Sequence, residues 1–206
     1  MTTVDALRQT YIERHEKILT PLATKLEKHI KDRLLDIPHI DRISVRAKNV
    51  DRFIAKAQKT DEQGANKYSD PLNQIQDQIG ARIIVFYLSD IQQVNEKIHD
   101  YYSPIEEKFL IPETVNEFGY EGKHFTLFIP KDLVSPDITK SQYPSFFELQ
   151  IKTLFEHAWA EANHDLAYKP QINLTREQHR KIAFTAAQAW GADLIFDQLF
   201  NELPTE

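Results

Sequence analysis

The sequence predicts an α+β domain, a mixed sheet of about five strands flanked by helices. Three observations carry that prediction. Helical periodicity brackets the chain at both ends, and about five strand-like segments lie between. Two of those segments, 123–130 and 146–153, are placed to pair antiparallel, which favours α+β over a doubly wound parallel sheet.

In order, residues 4–36 carry a broken 3.6-residue apolar rhythm through Leu7, Tyr11, Ile18, Leu22, Leu26, Ile30 and Leu34, read as one or two amphipathic helices. DRISVRAK follows as a half-buried strand, with Ile43, Val45 and Ala47 alternating against Arg42, Ser44, Arg46 and Lys48. Val50, Phe53, Ile54 and Ala57 mark the buried side of a short helix. DEQGANKYSD reads as loop, and Asp70 with Pro71 opens a turn or helix. GARIIVFYL is apolar almost throughout, as a strand buried on both faces is. SDIQQVNEKIHDYY starts with a Ser89-x-x-Gln92 capping box and keeps Ile91, Val94 and Ile98 on one helical face. A strand is expected at 105–111, a loop over PETVNEFGYEG, the strand KHFTLFIP, and a surface connection over 131–145. FELQIKT alternates Phe147, Leu149 and Ile151 with Glu148, Gln150 and Lys152 as a strand, and Thr153 with Glu156 forms a capping box for the helix behind it. A final helix spans 175–203, with Ile182, Ala186, Ala189, Trp190, Leu194 and Leu199 available for packing.

The 206 residues suit one domain, divided into N-terminal helices (1–38), a catalytic core (39–169) and C-terminal helices (170–206). There is no cysteine, which excludes disulfides, thiolate zinc sites and a cysteine nucleophile. The first twenty residues are too charged for a signal peptide, and no apolar run approaches the ~18 residues of a membrane span, so the expected location is cytoplasmic. Twenty-five basic against 31 acidic residues give a net charge of −6, which argues against a general nucleic-acid binder. Five glycines cannot supply a glycine-rich phosphate loop.

Against that acidic background, residues 41–60 hold six basic and two acidic residues. Arg46 and Lys48 share a strand face, and Arg52 and Lys56 sit i, i+4 on a helix. Such a cluster is either a solvated face or a site for a phosphate chain. Asp77, before GARIIVFYL, and Glu148 are carboxylates on core strands that need a cation. Facing a phosphate site they suit Mg²⁺; the alternative is two ion pairs. His157, Glu161 and His164 have helical spacing for a transition metal but lack the adjacent His-Glu of zinc peptidases, so they are read as a polar wall.

VRAKNVDRFIAK, QIQDQIGARIIV, FGYEGKHFTL and FELQIKTLFEHAWAE followed by HDLAYK, in that order over about residues 45–169, make the chain resemble the synthetase domain of the RelA/SpoT family, above all its small single-domain members. The resemblance implies a nucleotidyltransferase-like synthetase fold. It implies a Mg²⁺-dependent pyrophosphokinase that moves the β,γ-diphosphate of ATP to the 3′-hydroxyl of GTP or GDP, making (p)ppGpp. By resemblance, Arg46 and Arg82 flank adenine, and Lys48, Arg52 and Lys56 hold ATP phosphates. Asp77 and Glu148 ligate the metal, Glu148 also drawing the hydroxyl proton. Tyr120 stacks on the acceptor base with His124, Gln150 and Lys152 nearby, and His157 and Glu161 support the groove.

The departures lie mostly on the acceptor side. Family members often carry serine at Arg52 and arginine at Lys152. Guanine-binding members read Lys-x-Asn-Gly-Tyr where this chain reads Asn116, Glu117, Phe118, Gly119, Tyr120. Two alternatives therefore stand beside the main reading: the same transfer to an adenosine nucleotide or a tRNA 3′ end as a toxin, with tRNA disfavoured by net charge, and a non-catalytic nucleotide sensor. No hydrolase motif precedes the synthetase segments, so synthesis without hydrolysis is expected. The terminal helices are expected to pack on the domain or on another subunit.

Overall fold

The computed structural model describes residues 3–112, 114, 117–139, 142–167 and 174–203. Asn116, Tyr168 and Lys169, invoked above, lie outside the described residues. Five strands form one mixed sheet: β1 (Ile40–Ala47), β2 (Ile79–Val85), β3 (Pro104–Leu110), β4 (Gly122–Phe128) and β5 (Phe146–Thr153). Their order is β1-β2-β5-β4-β3, with β2 and β5 parallel and every other pair antiparallel. The β4–β5 pairing is the one the sequence suggested.

Period-2 alternation splits the sheet into two faces. On one, Ile43, Ala81, Ile83, Val85, Phe125, Leu127, Phe147, Leu149 and Ile151 are buried against α2 (Thr20–Arg33) and α5 (Leu88–Tyr101), whose Leu22, Leu26, Ile30, Val94 and Ile98 complete the core. The other face carries the polar residues considered below. The N-terminal rhythm is broken because α1 (Thr3–Arg14) joins α2 through a π-helical segment, His15–Leu19. α2 also guards the sheet edge: Glu27 Oε2 accepts from the Val45 N–H at 3.0 Å, one of the donors an edge strand leaves unpaired. Tyr11 of α1 stacks on Phe53 of α3 (Val50–Ala57) with ring centroids 3.7 Å apart, and donates its hydroxyl hydrogen to the Lys48 carbonyl at 2.9 Å. The core thereby reaches the chain segment that carries the basic cluster.

Three local expectations change. β2 ends at Val85, because Tyr87 already serves as N-cap of α5. The cap of α5 is not Ser89 with Gln92: Asp90 accepts from the Tyr87 N–H at 3.0 Å, while the Ser89 N–H donates to Asp197 at 2.8 Å. The box at α6 (Leu154–Ala167) is half formed: Thr153 Oγ1 accepts from the Glu156 N–H at 3.1 Å, but the Glu156 carboxylate takes the Glu121 N–H at 3.0 Å instead. α4 is a single turn, Pro71–Gln74. The last helix, α7 (Arg176–Glu202), is unbroken and packs on α6 through stacked Phe155 and Phe196. Ala186 is buried, whereas Trp190 and Leu199 are exposed. No helix among the described residues is long and apolar enough to cross a membrane.

Candidate active site

Strand register sets two rows of side chains across the open face. One row runs Arg46, Gly80, Glu148, Thr126, Glu106; the next runs Ser44, Arg82, Gln150, His124, Lys108. The first row puts a glycine between the arginine and the glutamate. A Cβ at Gly80 would meet nothing within 4 Å, so the missing side chain leaves an open floor. Over that floor lies a cavity of about 390 Å³ bordered by Arg46, Lys48, Arg52, Asp77, Arg82, Glu148 and Gln150. A second cavity, about 370 Å³, opens beside it over β4 and β3, bordered by Lys56, Tyr68, Gln76, Glu106, Lys108, His124 and Thr126. Asp77 and Glu148 border both, so the two hollows meet along a seam of two carboxylates.

Local sequence explains how the cations arrive there. Lys48 follows β1 and its N–H continues the ladder onto the Gln78 carbonyl at 2.8 Å. Asn49 then caps α3, its side chain accepting from the N–H groups of Asp51 and Arg52 at 2.9 and 3.3 Å. That cap starts the helix that presents Arg52 to one cavity and Lys56 to the other. Sequence reasoning passed over Asn49 and Gly80. The short segment KNVDR with a helical apolar pattern after it was the available signal for the first; only strand register reveals the second.

The cations rest on the carboxylates. Lys48 Nζ lies 2.7 Å from Asp77 Oδ2, and Lys56 Nζ lies 3.0 Å from Asp77 Oδ1. Each Asp77 oxygen thus carries an ammonium partner. Arg82 pairs with Glu161 at 2.7 Å and sits 3.4 Å from His157 Nδ1. Burial, then the Arg82 guanidinium, holds His157 below the ordinary imidazole range. Glu148 Oε1 accepts from Gln150 at 3.1 Å and lies 3.0 Å from His124 Nδ1. The His124 bond, assisted by Gln150 against the opposing effect of burial, brings the Glu148 carboxyl down to about 2. Glu148 is thus a fixed anion at neutral pH.

His124 continues the chain, its Nε2 2.6 Å from the Tyr120 hydroxyl. Tyr120 borders neither large cavity, and one face of its ring is covered by Lys152 Nζ, 4.2 Å from the centroid. A Cβ on Gly122 would come within 2.6 Å of the Tyr120 hydroxyl, so this packing requires glycine there. Lys152 is 4% exposed, and burial followed by Arg82 lowers its pKa to about 8. Of the four residues expected on the acceptor side, His124 borders the second cavity, Gln150 the first, and Tyr120 and Lys152 border neither.

Whether the seam suits Mg²⁺ depends on its donors. Among the described residues no group of three or more His, Cys, Asp or Glu converges as a protein-made metal cage. Two hard carboxylates beside a phosphate-sized basic hollow, one of them resting on two lysines that a phosphate chain can draw away, fit an ion that takes most ligands from phosphate and water. His157, Glu161 and His164 do not form a metal cluster; the first two are engaged with Arg82.

Comparison with known proteins points to one family and one fold. The model for the region found in RelA/SpoT proteins matches residues 45–173. GTP pyrophosphokinase YjbM of Bacillus subtilis (strain 168) is 29% identical over 172 residues, covering 81% of this chain and 73% of that protein. The crystal structure of small alarmone synthetase 1 from Bacillus subtilis bound to its product pppGpp superposes with a TM-score of 0.72 at 20% identity, covering 96% of this chain and 98% of that one. The same enzyme bound to AMPCPP gives 0.64 at 20% identity, covering 91% and 97%. These likenesses show that the fold is that of the small alarmone synthetases.

Proposed function

The chain belongs to the RelA/SpoT family, and from that premise we propose that it is an ATP-dependent pyrophosphokinase making (p)ppGpp from ATP and GTP or GDP. The observation that carries this reading is the pair of cavities meeting at Asp77 and Glu148. ATP takes the first, its adenine between Arg46 and Arg82 and its phosphates on Lys48, Arg52 and Lys56. The acceptor nucleotide takes the second, its 3′-hydroxyl at the seam. The hydroxyl oxygen bonds to the β-phosphorus, the bond from that phosphorus to the α,β-bridging oxygen breaks, and AMP leaves.

Lys48 and Lys56 exchange Asp77 for phosphate when ATP enters; Asp77 and Glu148 would be the residues that hold Mg²⁺. The bound ion would neutralise phosphate charge and favour the in-line arrangement. His124 and Gln150 hold Glu148 in one orientation. The proton leaves late in a loose transition state, once the hydroxyl has become acidic, so a carboxylate held at about 2 still receives it. Glu161 and His157 fix the plane of Arg82. Such a nucleotide-consuming enzyme works in the cytoplasm.

Purified protein incubated with γ-labelled ATP, Mg²⁺ and GTP or GDP should form labelled penta- or tetraphosphate with one AMP per transfer. ADP as the coproduct, or no labelled product, overturns the reading. A second reading keeps the donor chemistry with an adenosine nucleotide as acceptor. It is motivated by Phe118, which stands where guanine-binding members have an amide and packs on Trp190 with centroids 5.6 Å apart. Labelled product with ATP or ADP as acceptor, and none with GTP or GDP, would establish it.

A further inference from the structure

At the far end of β5, away from the seam, a small half-open cavity of about 50 Å³ lies between β3, β4, β5, α5, α6 and α7. Leu88, Ile91 and Trp190 form its apolar side; Glu121, Glu156 and Asp193 form its acidic side. None of these six takes part in the transfer described above. Asp193 is 5% exposed, its Oδ2 accepting from the Thr153 hydroxyl at 2.7 Å. Its buried Oδ1 has no hydrogen-bond partner among the described residues. The charges acting on Asp193 are those of Glu121 and Asp197, both acidic. Glu156, 6% exposed, spends one oxygen on the Glu121 N–H. Among the described residues bordering the cavity the basic one is Lys152, whose ammonium lies over the Tyr120 ring and whose charge acts on Glu156. Three acidic residues thus border the hollow, and a buried oxygen of one of them lacks a hydrogen-bond donor among the described residues.

A donor of positive charge satisfies that oxygen and offsets the mutual repulsion of the acids. The apolar wall restricts its kind. Leucine, isoleucine and indole cannot replace the water shell of an inorganic cation, but they suit a short alkyl chain, and the indole attracts an ammonium-bearing group. The volume limits it to a few heavy atoms. We infer that this cavity is a binding site for a small primary organic ammonium, with N–H on Asp193 Oδ1 and its carbons along Leu88 and Ile91 toward Trp190.

The chain has two tryptophans, Trp159 and Trp190, so the Trp159→Phe variant leaves an indole only at the cavity. Its fluorescence is titrated with ethylammonium chloride at constant ionic strength, with potassium chloride and ethanol as parallel titrants. The expected result is a saturable change with ethylammonium alone, half-complete at about 1–20 mM as befits so small a ligand. Adding Asp193→Asn should raise the half-saturation point at least ~10-fold. Should that variant fail to melt cooperatively, Glu156→Gln in the same background serves instead and should weaken binding about threefold. An equal response to potassium chloride, an equal response to ethanol, no response, or full affinity in the folded acid-replaced variant each overturns the inference.

Discussion

The two cavities that meet at Asp77 and Glu148 rest on different kinds of strand. The first lies over β1, β2 and β5; of these, β2 and β5 are interior strands whose opposite faces are buried in the core. Its cations are held in advance, Lys48 on Asp77 and Arg82 on Glu161. The second lies over β4 and the edge strand β3, whose residues are exposed almost throughout. Two of the charges bordering it pair with each other, Glu106 with Lys108. A donor site built on the core and an acceptor site built on an edge should respond differently to mutation, the first through geometry and the second through surface charge.

The largest expected effect is at the seam. Glu148→Gln and Asp77→Asn should each lower kcat by at least ~100-fold, measured by labelled transfer, with thermal midpoints near wild type. Asp77→Asn should do something further: metal-free ATP should bind more tightly, because Lys48 and Lys56 no longer rest on a carboxylate. Weaker metal-free binding, read by calorimetry, would contradict the exchange of lysines between Asp77 and phosphate.

Next comes His124→Phe. Losing the bond that holds Glu148 at about 2 should cost roughly 10-fold in kcat and move the acid limb of the pH–rate profile upward toward the ordinary carboxylate range. An unmoved acid limb would remove His124 from the positioning of Glu148. Asn49→Ala tests the donor cavity from a distance: losing the cap of α3 should cost about 1 kcal/mol of stability in denaturant melts and raise KM for ATP while sparing the acceptor.

The smallest effect lies behind both cavities. Burial, with Glu121 and Asp193 adding to it, raises the Glu156 pKa to about 7 from the usual 4.5. A carboxyl raised on folding binds more protons in the folded state across that window, so it withdraws stability as pH rises from about 4.5 to 7. Glu156→Gln should therefore melt about 3–6 °C higher than wild type at pH 8 and within a degree or so at pH 5.

Legibility in the sequence followed the same division. Central strands announce themselves, because Phe147, Leu149 and Ile151 on one face force Glu148, Gln150 and Lys152 to the other. The basic cluster stood out because 41–60 reverses the charge of the chain. What stayed hidden depends on partners distant in sequence. The start of α5 is fixed in part by Asp197, 108 residues from Ser89. The Glu156 side chain leaves its capping position for a backbone group 35 residues away. The second cavity draws on Tyr68, Gln76, Glu106 and Thr126, residues with no common spacing that only strand order brings together. Gly80 was invisible as a cavity floor until register set it between Arg46 and Glu148.

The division of donor and acceptor between the two cavities is tested most directly by filling each and measuring both KM values. Gly80→Val places two methyl groups over the floor of the first cavity, and Thr126→Leu enlarges the side chain bordering the second. The expected result is a rise of at least ~10-fold in KM for ATP alone in Gly80→Val, and in KM for the guanine nucleotide alone in Thr126→Leu. The reverse pattern, or both KM values rising together in both folded variants, would contradict a donor and an acceptor housed separately on either side of Asp77 and Glu148.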